Sequence, residues 1–144
     1  MWAYFDTSAL VKRYVVEAGR SDVLRLLRRH ECVTSAVLPV EIRSALRRRG
    51  AEGTLDSARM PDLLGRIAAD RAYWTLIDVG ADVLAGAEAL VASHPLRTLD
   101  AIHVASAQLF ARRLASPAMI FVSADQRQTD AAAAVGLTVR LIGA

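Results

Sequence analysis

Four acidic residues fall where a β-prone stretch ends or a helical pattern begins: Asp6, Glu41, Asp100 and Asp125. Carboxylates that converge repel one another, and two unit charges about 4 Å apart do so by roughly 4 kcal/mol at an effective dielectric constant of about 20. A hard divalent cation relieves that repulsion, and oxygen ligands without His or Cys favour Mg²⁺ or Mn²⁺. Such a cation coordinates phosphate oxygens and lowers the pKa of a bound water. If the four acids meet in one cleft, the chemistry that suits them is hydrolysis of a phosphodiester.

Asp6 and Glu41, each taken alone, have an ordinary structural interpretation. Asp6 follows the stretch Trp2 to Phe5 and could simply cap the next helix. Glu41 comes two residues after Pro39, which suits a first helical turn, and could stabilise that helix N-terminus. Both alternatives stay open, because neither segment decides by itself between a cap and a ligand.

Asp100 has the most apolar neighbours of the four acids. In the segment Leu99 to Ala105 the only other polar residue is His103. Because burying a lone carboxylate is costly, a contact with His103, one turn later, would account for both residues in structural terms. The alternative is that Asp100 is a ligand, and we expect His103 to support its helix rather than to act as a general base.

The composition describes one globular domain. The chain has 144 residues, of which 53% are hydrophobic and 23% charged, enough for one core and too few for two ordinary domains. We therefore expect a single domain over residues 1–144. No apolar run approaches the roughly 20 residues of a membrane span. Asp6 interrupts the only apolar stretch near the start, so we expect a cytoplasmic protein without membrane contact.

The charged and thiol residues exclude several kinds of site. Cys32 is the only cysteine, and the three histidines lack the spacing of zinc ligands. Lys12 is the only lysine and lies in Val-Lys-Arg, which excludes a Walker-A phosphate loop. The net charge is +3, but if a metal neutralises the four acids, 18 basic and 11 acidic residues remain. The resulting charge of +7 suits a polyanionic substrate.

Short β-prone stretches alternate with longer helical patterns along the chain. The predicted strands are Trp2 to Phe5, Cys32 to Ser35, Trp74 to Ile77, Met119 to Val122 and Thr138 to Leu141. The predicted helices are Ser8 to Val15, Ser21 to Arg29, Val37 to Arg49, Thr54 to Ala72, Ala81 to Ser93, Thr98 to Arg113 and Gln126 to Val135. This alternation predicts an α/β fold with a central parallel sheet of about five strands, flanked by about seven helices. Ligands of such sheets bind beyond the carboxyl ends of the strands, where Asp6 and Asp125 fall.

Four segments carry a resemblance to a known family: Tyr4 to Lys12, Glu41 in its helix, Leu99 to Ala105 and Phe121 to Asp125. By their order and spacing the chain resembles PIN domains, and in particular the VapC-type toxins of toxin–antitoxin pairs, over essentially its whole length. The resemblance implies a small α/β fold and an endoribonuclease that depends on Mg²⁺ or Mn²⁺. It further implies an RNA substrate, a cognate VapB-like antitoxin that forms a hetero-oligomer with the toxin, and a homodimer.

The resemblance also implies a role for each acid. Asp6, Glu41 and Asp100 match the three core acids of the family, which are catalytic and bind the metal. Asp125 matches a more variable fourth position, for which Asp130 is the alternative. Three hydroxyl side chains are expected to help position ligands or water: Thr7, Ser8 and Ser123.

A rival function from a different class is that of a binding module, a catalytically silent PIN fold that binds RNA or a partner protein. The presence of all four acids favours the enzyme, and metal-dependent turnover of RNA distinguishes the two functions. Four arginines in one helical pattern could contact RNA, contact an antitoxin or simply face solvent: Arg43, Arg47, Arg48 and Arg49.

Overall fold

The computed structural model describes residues 1–114 and 119–143. At its centre is one sheet of five strands, in which every neighbouring pair is parallel. The strands are β1 (Trp2–Phe5), β2 (Glu31–Ser35), β3 (Thr75–Ile77), β4 (Met119–Ser123) and β5 (Thr138–Leu141), and they lie in the order β3-β2-β1-β4-β5. The predicted parallel sheet is confirmed, and each strand bound lies within one residue of its predicted position.

Seven α-helices lie in the described residues, as predicted. They are α1 (Thr7–Leu10), α2 (Arg20–Arg29), α3 (Leu38–Ala51), α4 (Met60–Arg71), α5 (Ala81–Ser93), α6 (Thr98–Arg113) and α7 (Gln126–Ala134). Across residues 1–114 and 119–143, no helix combines the length and the apolar character that crossing a membrane requires.

Two helices begin or end differently from the predicted patterns. The pattern from Ser8 to Val15 forms the short helix α1 and then tightens into a 3-10 turn at Val11–Arg13. The pattern that starts at Thr54 becomes α-helical only at Met60. The physical reason is Pro61, which lies in the first turn of α4, because a proline further inside a helix would lack an N–H donor and clash with the preceding turn.

The two faces of the sheet carry separate apolar cores. Successive strand residues point to opposite faces, so the neighbours Tyr4 and Phe5 contribute to different cores. Phe5 packs with apolar residues of α1 to α4, including Leu10 and Ile42. Tyr4 packs with residues of α5, α6 and α7, among them Val104. The result is a three-layer structure with helices on both sides of the sheet.

The strand order reverses at β1, which has β2 on one side and β4 on the other. In a parallel sheet such a reversal opens a crevice at the carboxyl ends of the two central strands. Asp6 directly follows β1, and Ser123 is the last residue of β4. The crevice therefore lies beside residues that the sequence analysis selected as functional.

Candidate active site

Asp6 lies at the junction of β1 and α1 and is buried, with 1% of its surface exposed. Its Oδ1 accepts a hydrogen bond from the backbone N–H of Ala9 at 2.9 Å, so Asp6 does cap α1, as its structural interpretation supposed. The Ser8 hydroxyl lies 2.8 Å from each carboxylate oxygen. The cap uses only Oδ1, which leaves Oδ2 for partners from the other side of the crevice.

Those partners come from the end of β4 and from α7. Ser123 Oγ and Gln128 Nε2 each donate to Asp6 Oδ2 at 2.8 Å. Burial raises the pKa of Asp6, while nearby His103 and the hydrogen bonds to the carboxylate act in the opposite direction. Within the described residues, Asp6 is thus a buried acid whose hydrogen-bond donors are hydroxyls, an amide and a backbone N–H, all uncharged.

Asp100 lies in the first turn of α6 and meets the same amide. Its Oδ1 accepts from Gln128 Nε2 at 3.1 Å, and its Oδ2 accepts from the backbone N–H of Arg97 at 3.3 Å. Burial raises the pKa of Asp100, and the negative charge of Asp125 adds to this effect. Because one nitrogen atom bonds both Asp6 and Asp100, the two carboxylates converge on a single point.

Glu41 lies in the first turn of α3 and belongs to a second group of polar side chains. Its Oε1 accepts from Thr7 Oγ1 at 2.9 Å and lies 2.6 Å from His103 Nε2. His103 is buried in α6, and its Nδ1 lies 2.9 Å from the Tyr4 hydroxyl. The polar contacts of this ring are therefore with Tyr4, Glu41 and, at 3.4 Å, Thr7 Oγ1, and not with Asp100 as the structural alternative supposed.

The buried tyrosine anchors the imidazole of His103. Burial raises the pKa of Tyr4 well above its ordinary value, so the group beside Nδ1 is a neutral phenol. The ring thus contacts the Tyr4 hydroxyl through Nδ1 and the Glu41 carboxylate through Nε2. Tyr4 and His103 thus hold the Glu41 carboxylate in place.

The two candidates for the fourth acid lie in different surroundings. Asp125 precedes α7 and accepts from the backbone N–H of Arg127 at 2.9 Å, and it is close enough to Asp100 to raise the pKa of that residue. Asp130 is exposed and accepts from Gln126 Nε2 at 2.7 Å. Asp125 is therefore the candidate whose surroundings are shown to include another acid of the site.

A family model for the PIN domain matches residues 3–134. The chain belongs to the PIN domain family. The match includes all four acids, and it confirms the resemblance that the four sequence segments indicated.

This PIN domain is 39% identical over 137 residues to a protein named Ribonuclease VapC46 from Mycobacterium tuberculosis (strain ATCC 25618 / H37Rv), and the match covers 94% of each chain. It is 36% identical over 140 residues to Ribonuclease VapC35, found in two strains of the same organism, with 94% of this chain and 93% of the relative covered. The resemblance to VapC proteins is therefore confirmed at the level of sequence.

Among solved structures, the PIN domain resembles a chain of a toxin–antitoxin complex from Klebsiella pneumoniae. The TM-score is 0.63, and the superposition covers 88% of each chain. The sequence identity is 19%, so this similarity shows a common fold.

The arrangement of the acids bears on whether a metal fits this PIN domain. In residues 1–114 and 119–143, no three His, Cys, Asp or Glu side chains form a cluster ready to hold a metal ion. Instead, Asp6 and Asp100 converge on the Gln128 amide, while Glu41 contacts His103. Carboxylate and hydroxyl oxygens dominate the crevice, and two carboxylates already meet at one point. This donor set fits a hard divalent cation.

Sequence reasoning missed two residues of the site: Gln128, which bonds two of the acids, and Tyr4, which contacts His103. Tyr4 looked like an ordinary core aromatic residue of a strand. Gln128 did leave a signal, because it lies on the same face of α7 as the buried Ala131 and Ala132. A polar side chain within an apolar stripe needs a buried partner.

Proposed function

We propose that this PIN domain is a metal-dependent endoribonuclease that hydrolyses RNA phosphodiester bonds and is the toxin of a VapBC-type toxin–antitoxin pair. The observation that carries the proposal is the convergence of Asp6 and Asp100 on one nitrogen atom in the crevice between β1 and β4. The names of the two ribonuclease relatives support the type of reaction and the substrate. The toxin–antitoxin complex that shares the fold supports the type of partner.

Four carboxylates are the proposed ligands of Mg²⁺ or Mn²⁺: Asp6, Glu41, Asp100 and Asp125. When bound, such an ion supplies a water of lowered pKa and offsets the negative charge of the phosphate. The protein itself contributes fixed carboxylate positions. Ser8 and Ser123 hold Asp6 on both of its oxygens, while Thr7 holds Glu41. Ordered ligands of this kind lose little freedom when they engage a substrate complex.

The proposed RNA-binding surface includes α3. Arg43 and Arg47 are exposed on this helix, one turn apart, and Glu41 lies in its first turn. A guanidinium group donates two parallel hydrogen bonds to a phosphate, which suits contacts with an RNA backbone. Arg49, in contrast, is bound to Glu17 through two hydrogen bonds and is less available to a ligand.

The partner proposals follow from the family. A VapB-like antitoxin would inhibit the toxin in a hetero-oligomer, the toxin would form a homodimer, and both would act in the cytoplasm. Co-purification with the product of a neighbouring gene tests the first of these proposals, and light scattering of the isolated protein tests the second.

Cleavage of total cellular RNA tests the catalytic proposal. We expect fragments when Mg²⁺ or Mn²⁺ is present and none after a chelator is added. Total RNA is the necessary substrate, because a toxin that is specific for one RNA ignores generic substrates. Cleavage that persists in chelator would overturn metal dependence. RNA binding without cleavage under all metal conditions would favour the silent binding module.

A further inference from the structure

Gln128 is the only amide side chain that contacts the acids of the site in the described residues. It lies in the first turns of α7, three residues after Asp125, and only 3% of its surface is exposed. Neither its position in the helix nor the apolar residues beside it require an amide there. The reason for this residue must therefore lie in its contacts.

The nitrogen of the Gln128 amide has hydrogen-bond partners among the described residues, whereas its oxygen has none. Nε2 donates to Asp6 Oδ2 at 2.8 Å and to Asp100 Oδ1 at 3.1 Å, which uses both of its hydrogens. Oε1 is buried and has no hydrogen-bond partner among the described residues. A buried carbonyl oxygen without a partner is unfavourable. The amide thus leaves its own oxygen unsatisfied while its nitrogen bonds both carboxylates.

The Nε2 end of the amide partly offsets the repulsion between the two carboxylates, as a cation would. It places two positively polarised hydrogens between the buried carboxylate of Asp6 and the part-buried carboxylate of Asp100, which would otherwise face each other across the crevice. Hydrogen bonds to ionised acceptors are stronger than those between neutral groups. They are also lost if a cation takes over the same carboxylate oxygens.

We propose that Gln128 is a positioning residue that substitutes for the metal in the metal-free protein and competes with it. This inference rests on the proposed function, because it concerns the metal site of that function. In the metal-free state the amide joins Asp6 to Asp100 and stabilises the fold. When the metal binds, these two hydrogen bonds are lost, so the observed metal affinity is lower than the carboxylates alone would give.

The test is to measure Mn²⁺ binding and metal-free stability in the full chain carrying Gln128→Met. Methionine keeps the length and volume of the side chain but has no N–H donor. We expect a lower Tm in chelator than that of the parent. By titration calorimetry we expect Mn²⁺ to bind about tenfold more tightly, the equivalent of one hydrogen bond. Loss of a merely structural residue would loosen the site and weaken metal binding.

Gln126→Met is the matched control. Gln126 is on the same helix and also donates to a carboxylate, Asp130 Oδ1, at 2.7 Å, but it is exposed. We expect neither the Mn²⁺ affinity nor the metal-free Tm to change in this variant. An equal gain in affinity with both variants would show a general effect of altering α7 and would overturn the inference.

Gln128→Glu provides a second variant, which is read from how strongly Mn²⁺ stabilises it and does not need to fold without metal. It keeps the shape of the side chain and replaces the donor nitrogen with an acceptor oxygen, so three carboxylates then face one another. We expect a still lower Tm in chelator and a larger stabilisation by Mn²⁺ than in the parent.

The outcomes separate this inference from the proposed function. If the parent binds Mn²⁺ and Gln128→Met binds it equally or more weakly, Gln128 is not a competitor and the inference is wrong, whereas the metal site stands. If only the variant binds Mn²⁺, the inference is supported. If neither the parent nor the variants bind Mn²⁺, the metal-dependent function fails, and the inference fails with it.

Discussion

Asp6 and Asp70 are two acids at opposite ends of the same sheet, and they are stabilised in different ways. Asp70, near the end of α4, lines a cavity beside Trp2 and Thr75, the first residues of β1 and β3. Its carboxylate accepts two hydrogen bonds from Arg13, at 2.6 and 3.2 Å, and one from the Tyr14 hydroxyl at 2.7 Å. Asp6, at the carboxyl end of β1, is bonded by neutral donors.

The pKa values of the two acids differ in direction. Although burial acts to raise it, the pKa of Asp70 is lowered, because Arg13 and Tyr14 donate to the carboxylate and Arg13 adds a positive charge. The pKa of Asp6 is raised by burial. An acid with its own cation completes a structural contact, whereas an acid without one is suited to bind a cation from outside.

The largest effect is expected for Asp6→Asn. Loss of this charge should lower the rate of RNA cleavage on the order of 10³-fold, because a metal ligand is removed. The metal-free protein should keep at least the parent's Tm, since asparagine also caps helices and Gln128 can turn its free Oε1 toward the new amide. Cleavage assays with Mn²⁺ and thermal melts in chelator measure the two effects. Full activity in Asp6→Asn would falsify the metal-site argument.

Asp70→Asn should show the opposite pattern, with lower stability and unchanged cleavage. The loss of the charged acceptor leaves Arg13 and Tyr14 partly unpaired and should cost about 2 kcal/mol of stability, or roughly 6 °C in Tm for a domain of this size. Cleavage per folded molecule should not change. A drop in activity without a drop in Tm would mean that the acids at both ends of the sheet serve the reaction.

The destabilisation by Asp70→Asn should also depend on pH. Because the pKa of Asp70 is lower in the folded state than its ordinary value of 3.8, its contribution to stability is present above that value and is lost as pH falls through the folded pKa. The difference in Tm between parent and variant should therefore be full at pH 7 and shrink below about pH 4. Thermal melts of both proteins across this range measure it. A difference that stays constant with pH would exclude the ion pair as its cause.

A smaller effect is expected for Asp125→Asn, with Asp130→Asn as its matched control. Asparagine preserves the cap of α7, so that the change removes only charge. We expect about a tenfold loss of cleavage rate in Asp125→Asn, corresponding to about 1.4 kcal/mol, and no loss in Asp130→Asn, whose carboxylate is exposed. The reverse result would assign the fourth position to Asp130.

The smallest effect is expected for Tyr4→Phe. This change removes the hydroxyl that lies 2.9 Å from His103 Nδ1 and keeps the ring that stacks on Phe121 at a centroid distance of 5.5 Å. Without this contact the imidazole should hold Glu41 less firmly, which should lower the cleavage rate by about threefold, within the range of a single hydrogen bond. The pH–rate profile of the variant should shift as well. Tyr73→Phe, at an exposed tyrosine, is the control and should change neither the cleavage rate nor the pH–rate profile. An unchanged pH–rate profile in Tyr4→Phe would mean that Tyr4 and His103 have a purely structural role.

Most of the fold could be predicted from local patterns. The alternation of β-prone and helical stretches is sufficient to predict the parallel sheet, since parallel strands require crossover connections. Strand ends were accurate to one residue. The start of α4 was wrong because the helical pattern was extended backward through Pro61, although proline favours the first turn of a helix.

The acids themselves were visible in the sequence, because their positions at strand ends and helix starts are local features. Their partners depend on distant segments. His103 bonds Glu41 rather than Asp100, because the fold brings this residue of α6 to Tyr4 of β1 and to Glu41 in the first turn of α3. Gln128 reaches both Asp6 and Asp100 only because β4 lies next to β1, which brings α7 to the crevice. The sequence by itself determined the chemical type of the site, whereas strand order, set by long-range packing, decided which neighbours each acid has.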